Sequence, residues 1–123
     1  LEQRVQKLKL EDKVTFYGMA SNVYPFFKEA QLCVMSSRIE GFPNVLLQMM
    51  TQNQKIVSTL SAGDIDKIPE IYTCPVEDID GLGNAMVNCY NSIDTTKRRA
   101  IFDSFLKERD MNSFERNILS HLK

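Results

Sequence analysis

Residues Ser36 to Met50 read S-S-R-I-E-G-F-P-N-V-L-L-Q-M-M, and this stretch decides the fold. The five residues before it, Gln31 to Met35, are apolar enough for a strand covered on both faces. Ser36, Ser37 and Arg38 turn polar, and Gly41 allows a close backbone turn. Pro43 suits the first position of a helix, where its missing N–H costs nothing, so a helix is expected over 43–52. The free N–H groups of that helix would aim at whatever sits above the strand end. Asn44 and Gln48, four apart, share one face and lean back towards the turn. With Glu40 in the turn, a carboxylate and an amide would flank one crevice, with backbone N–H groups between them. Hydroxyl-rich, phosphate-bearing ligands need that combination. The same residues also fit an ordinary strand–turn–helix junction in which Glu40 is a solvated loop acid.

Working outward, Leu1 to Leu10 places Leu1, Val5, Leu8 and Leu10 near one face and reads as an amphipathic helix. Lys13 to Tyr17 alternates and is rich in β-formers, which predicts a strand ending at Gly18. Ser21 or Asn22 can cap a helix running through Val23, Tyr24, Phe26, Phe27 and Ala30. Strands are expected over 31–36, 55–60 and 71–76, the last at a sheet edge because Pro75 interrupts it. Asn53 can end the central helix in the left-handed conformation. Asp78 is placed to cap a helix containing Ile79, Leu82, Ala85, Met86, Cys89 and Tyr90. Helices over 96–109 and 112–122 would turn Ile101, Phe105, Phe114, Ile118 and Leu122 inward. Strands alternating with helices imply a Rossmann-like, doubly wound parallel α/β sheet, whose ligands bind beyond the carboxyl ends of the strands. Gly18-Met19, Glu40-Gly41 and Ser61–Asp64 all follow such ends.

The chain has 123 residues, 43% of them hydrophobic, which suits one domain with an ordinary core. A net charge of −1 with scattered Lys and Arg gives no nucleic-acid footprint. No apolar run approaches the ~20 residues that span a bilayer. The three cysteines, Cys33, Cys74 and Cys89, are odd in number and form no C-x-x-C pair, so free thiols and a cytoplasmic, reducing setting are expected. His121, the single histidine, stands at the C-terminus and is a poor candidate for a base. Two D-x-D triplets, Asp64-Ile65-Asp66 and Asp78-Ile79-Asp80, raise the question of a metal site. One short carboxylate pair seldom completes such a site, and no metal is expected.

The run E-G-F-P-N-V-L-L-Q resembles the donor-binding signature of retaining GT-B glycosyltransferases of group 1, or family 4. That signature is E-G-F-x-x-x-x-x-E, and Gln48 stands here where its second glutamate would be. Val14 to Gly18 is similar to the family's V-x-F-x-G strand, K-I-V-S-T-L to its P-V-V-S-T strand, and G-D-I-D-K-I-P-E-I to its Gly-rich loop ending in E-I. C-P-V-E-D resembles the turn before the next helix. Asn53-Gln54-Lys55 replaces the usual Gly-x-Pro.

The resemblance implies that 1–123 is most of a C-terminal, sugar-nucleotide-binding domain. The first strands of that domain and an N-terminal acceptor domain would lie elsewhere in a longer protein, leaving this piece inactive alone. Glu40 would bond the donor sugar as the catalytic-site carboxylate. Gly18, Met19, Gly41, Phe42, Pro43, Asn44 and Val45 would line the donor site, and Gln48 would face the ribose. No cofactor is implied; the substrate is a nucleotide-diphosphate sugar such as a UDP- or GDP-sugar. The acceptor would be a saccharide, a lipid-linked sugar or a polysaccharide, with any peripheral membrane contact made through the N-terminal domain. The alternative is a non-catalytic sugar-nucleotide-binding module of the same fold. An unrelated nucleotide-binding domain, such as an epimerase, is disfavoured because no G-x-G-x-x-G follows a strand.

Overall fold

Three short parallel strands carry the structure, a computed structural model that describes residues 1–18, 22–39 and 44–108. The elements run α1 (Glu2–Lys7), α2 (Tyr24–Glu29), β1 (Cys33–Met35), α3 (Asn44–Gln52), β2 (Ile56–Thr59), β3 (Tyr72–Cys74) and α4 (Ile79–Tyr90). A further helix, α5, covers 96–108. The sheet order is β1-β2-β3, with Cys33 opposite Ile56, Met35 opposite Ser58, and Thr59 opposite Cys74. Among the described strands β3 lies at an edge, as expected, and it ends at Cys74, just before Pro75.

Side-chain alternation sorts the core into two layers. Cys33, Met35 and Ile56 pack with Leu46, Met49 and Met50 of α3, and with Phe102 of α5, on one face. Val57 and Cys74 pack with Ala85 and Cys89 of α4 on the other, joined by the half-buried Val34. Helices on both faces explain why the strands read as continuous apolar runs.

The segment 13–17 is not a strand. Its residues form no ladder with any described strand, and Phe16 and Tyr17 are 49% and 68% exposed. Lys13 and Val14 instead donate backbone N–H groups to the Leu10 carbonyl. High β-propensity cannot make a strand without a partner to take its N–H and C=O groups. α1 is shorter than expected and buries none of its residues. α2 starts one residue later than expected, with Val23 and not Asn22 at its N-cap, although Asn22 Oδ1 accepts the Tyr24 N–H at 3.2 Å.

Asn53 ends α3 in a way the sequence did not announce. It is absent from the left-handed region, which among the described non-glycine residues holds Lys9, Glu70 and Glu77. Its side chain acts instead. Nδ2 donates to the carbonyls of Phe27 at 2.8 Å and Ala30 at 2.7 Å, and Oδ1 accepts the Lys55 N–H at 2.9 Å. Gln54 Oε1 accepts the Thr95 N–H at 2.9 Å, and Lys55 Nζ donates to the Tyr90 carbonyl at 2.9 Å. Three consecutive side chains thus reach the last turns of α2 and α4 and the start of α5. A cation and amide donors belong at helix carboxyl ends, where carbonyls lack partners.

Asn53→Ala, which takes the amide from both carbonyls and leaves Phe27 only the weak Cys33 thiol donor, should cost about 2 kcal/mol. Denaturant unfolding would show it, and a midpoint unchanged from wild type would mean that water replaces the amide fully. Asn53→Gly, the residue usual in the resembled family, should lose at least as much, because it lacks the amide and frees the unfolded chain.

Candidate functional site

Parallel strands bring their carboxyl ends to one rim, and side chains tie the loops there together. Thr59, buried at the end of β2, donates its hydroxyl to the Ser37 carbonyl at 2.6 Å, joining the segment after β1 to β2. Arg38 Nε lies 3.5 Å from Glu77 Oε1, so the segments after β1 and β3 meet across the end of β2. Both side chains are largely exposed, so this pair sets geometry more than stability. Glu77 has φ of 60°, a left-handed conformation unusual for a residue with a Cβ. It precedes Asp78, whose Oδ1 accepts the Gly81 N–H at 2.8 Å. A Cβ at Gly81 would collide with that carboxylate, so Gly81 is the residue that makes room for the cap.

β1 and α3 are the strand and helix expected on either side of the E-G-F-P turn. Asn44 and Val45 open α3 and are exposed, while Gln48 is half-buried one turn further on. The four-residue spacing keeps Asn44 and Gln48 on one stripe of the helix. α3 is held from its far end: Asn53 ties it to α2, and the Arg99 guanidinium donates to the Met50 carbonyl. Gly18 has φ of 65° and nothing within 4 Å of an added Cβ, so its backbone is open to approach. It does not follow a strand, and the strand-end argument for its place at the rim lapses. Met19, Glu40, Gly41, Phe42 and Pro43 lie outside the described residues.

After β2, Leu60, Ser61, Ala62, Gly63 and Asp66 line an open hollow of 310 Å³. Among the described residues no three His, Cys, Asp or Glu side chains gather in a metal-ligating group. Of the D-x-D acids, Asp64 Oδ1 lies 3.7 Å from Lys67 Nζ, and Asp78 is the α4 cap. The three thiols are free and buried. Burial pushes Cys33 up to about 11, with the nearby Cys89 adding to the effect, and burial raises Cys89 as well. Thiols held protonated in this way are poor nucleophiles. Ser61 belongs to the Ser61–Asp64 segment that the sequence places after a strand end, whereas Thr59, Arg38 and Glu77 were not singled out as site residues. Their position at or just beyond strand ends is the signal that could have found them.

The family model for glycosyl transferases group 1 matches residues 1–92, and the chain belongs to that family. Its parallel sheet, covered by helices on both faces, is the Rossmann-like architecture of a GT-B glycosyltransferase domain. Over 75 residues the chain is 32% identical to an uncharacterized glycosyltransferase of Methanocaldococcus jannaschii, an alignment covering 61% of this chain and 18% of that protein. It is 25% identical over 126 residues to the N-acetyl-alpha-D-glucosaminyl L-malate synthase of Bacillus anthracis, covering 92% of this chain and 32% of the synthase. The chain therefore spans 18% and 32% of the lengths of these two relatives. Among the described residues no helix is long and apolar enough to cross a membrane.

Proposed function

We propose that this chain is the C-terminal, donor-binding domain of a retaining glycosyltransferase that moves a sugar from a nucleotide-diphosphate donor to a saccharide, lipid-linked or polysaccharide acceptor. The observation that carries this reading is the place of the E-G-F-P-N-V-L-L-Q run. It spans the junction between a strand of a parallel sheet and the helix that follows, where such sheets take their ligands. Glu40 bonds hydroxyls of the donor sugar. The backbone of Gly41 and Phe42, with Asn44 and Val45 at the start of α3, faces the sugar and diphosphate. Pro43 lacks an N–H and contributes shape alone. Gln48 bonds the ribose as a neutral amide, more weakly than a carboxylate would. Gly18 and Met19 are assigned to the donor site by the family resemblance alone.

The leaving diphosphate is stabilised by helix-end N–H groups and by cations elsewhere in the full-length protein, without a metal ion. The work is done on the cytoplasmic side, with membrane contact left to the N-terminal domain. One observation favours the non-catalytic alternative, namely the amide of Gln48 where the family signature carries its second carboxylate.

Two measurements test the proposal on the full-length protein. Incubated with a panel of UDP- and GDP-sugars, it should release the nucleotide and form a product of retained anomeric configuration. Activity should persist in excess chelator. Complete loss in chelator, restored by manganese or magnesium, would overturn the metal-independent mechanism. A folded protein that binds donors but never releases the nucleotide would instead establish the non-catalytic module.

A further inference from the structure

We infer that the hollow at the carboxyl end of β2 binds an uncharged saccharide, with Ser61 and Asp66 as its polar contacts. The inference rests on the donor-domain reading above and assigns a place to the sugar part of a substrate. Ser61 lines the hollow and is 8% exposed. Its hydroxyl is buried and has no hydrogen-bond partner among the described residues. A buried hydroxyl left in that state is costly, and native proteins rarely keep one without a use. A ligand hydroxyl supplies the missing partner.

The rest of the lining defines the ligand. Leu60 and Ala62 offer apolar surface for the carbon face of a sugar ring, while Asp66 offers a carboxylate to accept hydroxyl bonds. A Cβ on Gly63 would meet nothing within 4 Å, so the backbone there stands open. Among the described residues no cation lines the hollow, and Lys67 beside it is paired with Asp64 at 3.7 Å. Phosphates and uronates would meet Asp66 without a compensating charge, so the hollow discriminates against anions. Its 310 Å³ sits at the lower end of the ~300–1,000 Å³ typical of small-molecule sites, a size for one ring rather than a whole nucleotide.

The hollow is also in the right place. β2 pairs with β1, with Met35 opposite Ser58, so the segment that lines the hollow leaves the sheet from the strand next to the one that leads to Glu40. The sugar concerned is that of the donor or that of the acceptor, and the two have the same chemistry.

Calorimetry on the full-length protein and its Ser61→Ala and Asp66→Asn variants tests this. The probes are UDP and GDP, their glucose, N-acetylglucosamine, galactose and mannose conjugates, UDP-glucuronate, and the methyl glycosides of the four neutral sugars. Ser61→Ala should lower affinity for the preferred saccharide about fivefold, one neutral hydrogen bond, and leave bare UDP and GDP unchanged. It should unfold at the same temperature as wild type or higher, since it deletes an unsatisfied buried hydroxyl. Asp66→Asn should narrow the preference for neutral sugars over glucuronate. A loss confined to nucleotide sugars places the donor sugar in the hollow, and one confined to methyl glycosides places the acceptor there.

Saccharide affinities unchanged in both variants would overturn the inference while wild-type nucleotide binding left the donor reading standing. A clear drop in the Ser61→Ala unfolding temperature would overturn it too, by showing that the hydroxyl serves the fold. Wild-type protein that binds none of the probes would overturn both.

Discussion

Glu40→Ala in the full-length protein should lower the rate of sugar transfer by roughly ten- to a hundredfold. The estimate comes from the loss of a charged hydrogen-bonding partner, about 1.5–3 kcal/mol, expressed as a barrier. In the proposed site the carboxylate touches sugar hydroxyls alone, so binding of the bare nucleoside diphosphate should stay near wild type. That split between donor and diphosphate is the informative result. Equal losses for both would mean that Glu40 supports the turn rather than the sugar. Glu40→Gln sharpens the test, because it keeps the size and one acceptor while removing the charge. If the bond is charge-assisted, the amide should recover part of the rate and not all of it.

Phe102→Ala should destabilise the domain by about 3–5 kcal/mol, a large share of what holds any domain folded. Phe102 is fully buried where α5 crosses the face formed by β1, β2 and α3. α5 has few other attachments of similar weight. Arg99 binds the Met50 carbonyl, Arg98 donates to Ser92 Oγ at 3.1 Å, and Phe105 and Leu106 are only half-buried. Losing the ring should therefore release α5 from α3 and leave a protein that unfolds at much lower denaturant. Ile101→Ala, one position earlier on a half-buried site, should cost far less. Similar midpoints for the two variants would show that α5 contributes little to stability, whatever its burial.

The contrast between those two residues shows where sequence reasoning stops. A helix over the region of α5 was legible from its composition, but the inward stripe was placed on Ile101 and Phe105. The structure turns the helix so that Phe102 enters the core, with Phe105 and Leu106 beside it. Arg99 and Arg98 hold α5 in that rotation by bonding to the Met50 carbonyl, 49 residues from Arg99, and to Ser92. Hydrophobic periodicity tells how many faces a helix buries. It does not tell which residue its neighbours will accept.

The sequence by itself determined the parallel α/β class, the strand and helix flanking the E-G-F-P turn, the edge position of β3 and the Asp78 cap. Each rests on contacts between residues close in the chain, or on a composition that one environment alone allows. Only the tertiary structure decided that 13–17 pairs with no described strand, because a strand is a property of two segments. It alone made Asn53 a clasp on Phe27 and Ala30, 26 and 23 residues away, and not a left-handed helix end. It alone joined Thr59 to Ser37 and Arg38 to Glu77, so that three strand ends share one rim. Such bonds depend on where the backbone carries each polar atom, and a side chain able to cap its own helix is equally able to bind a distant one.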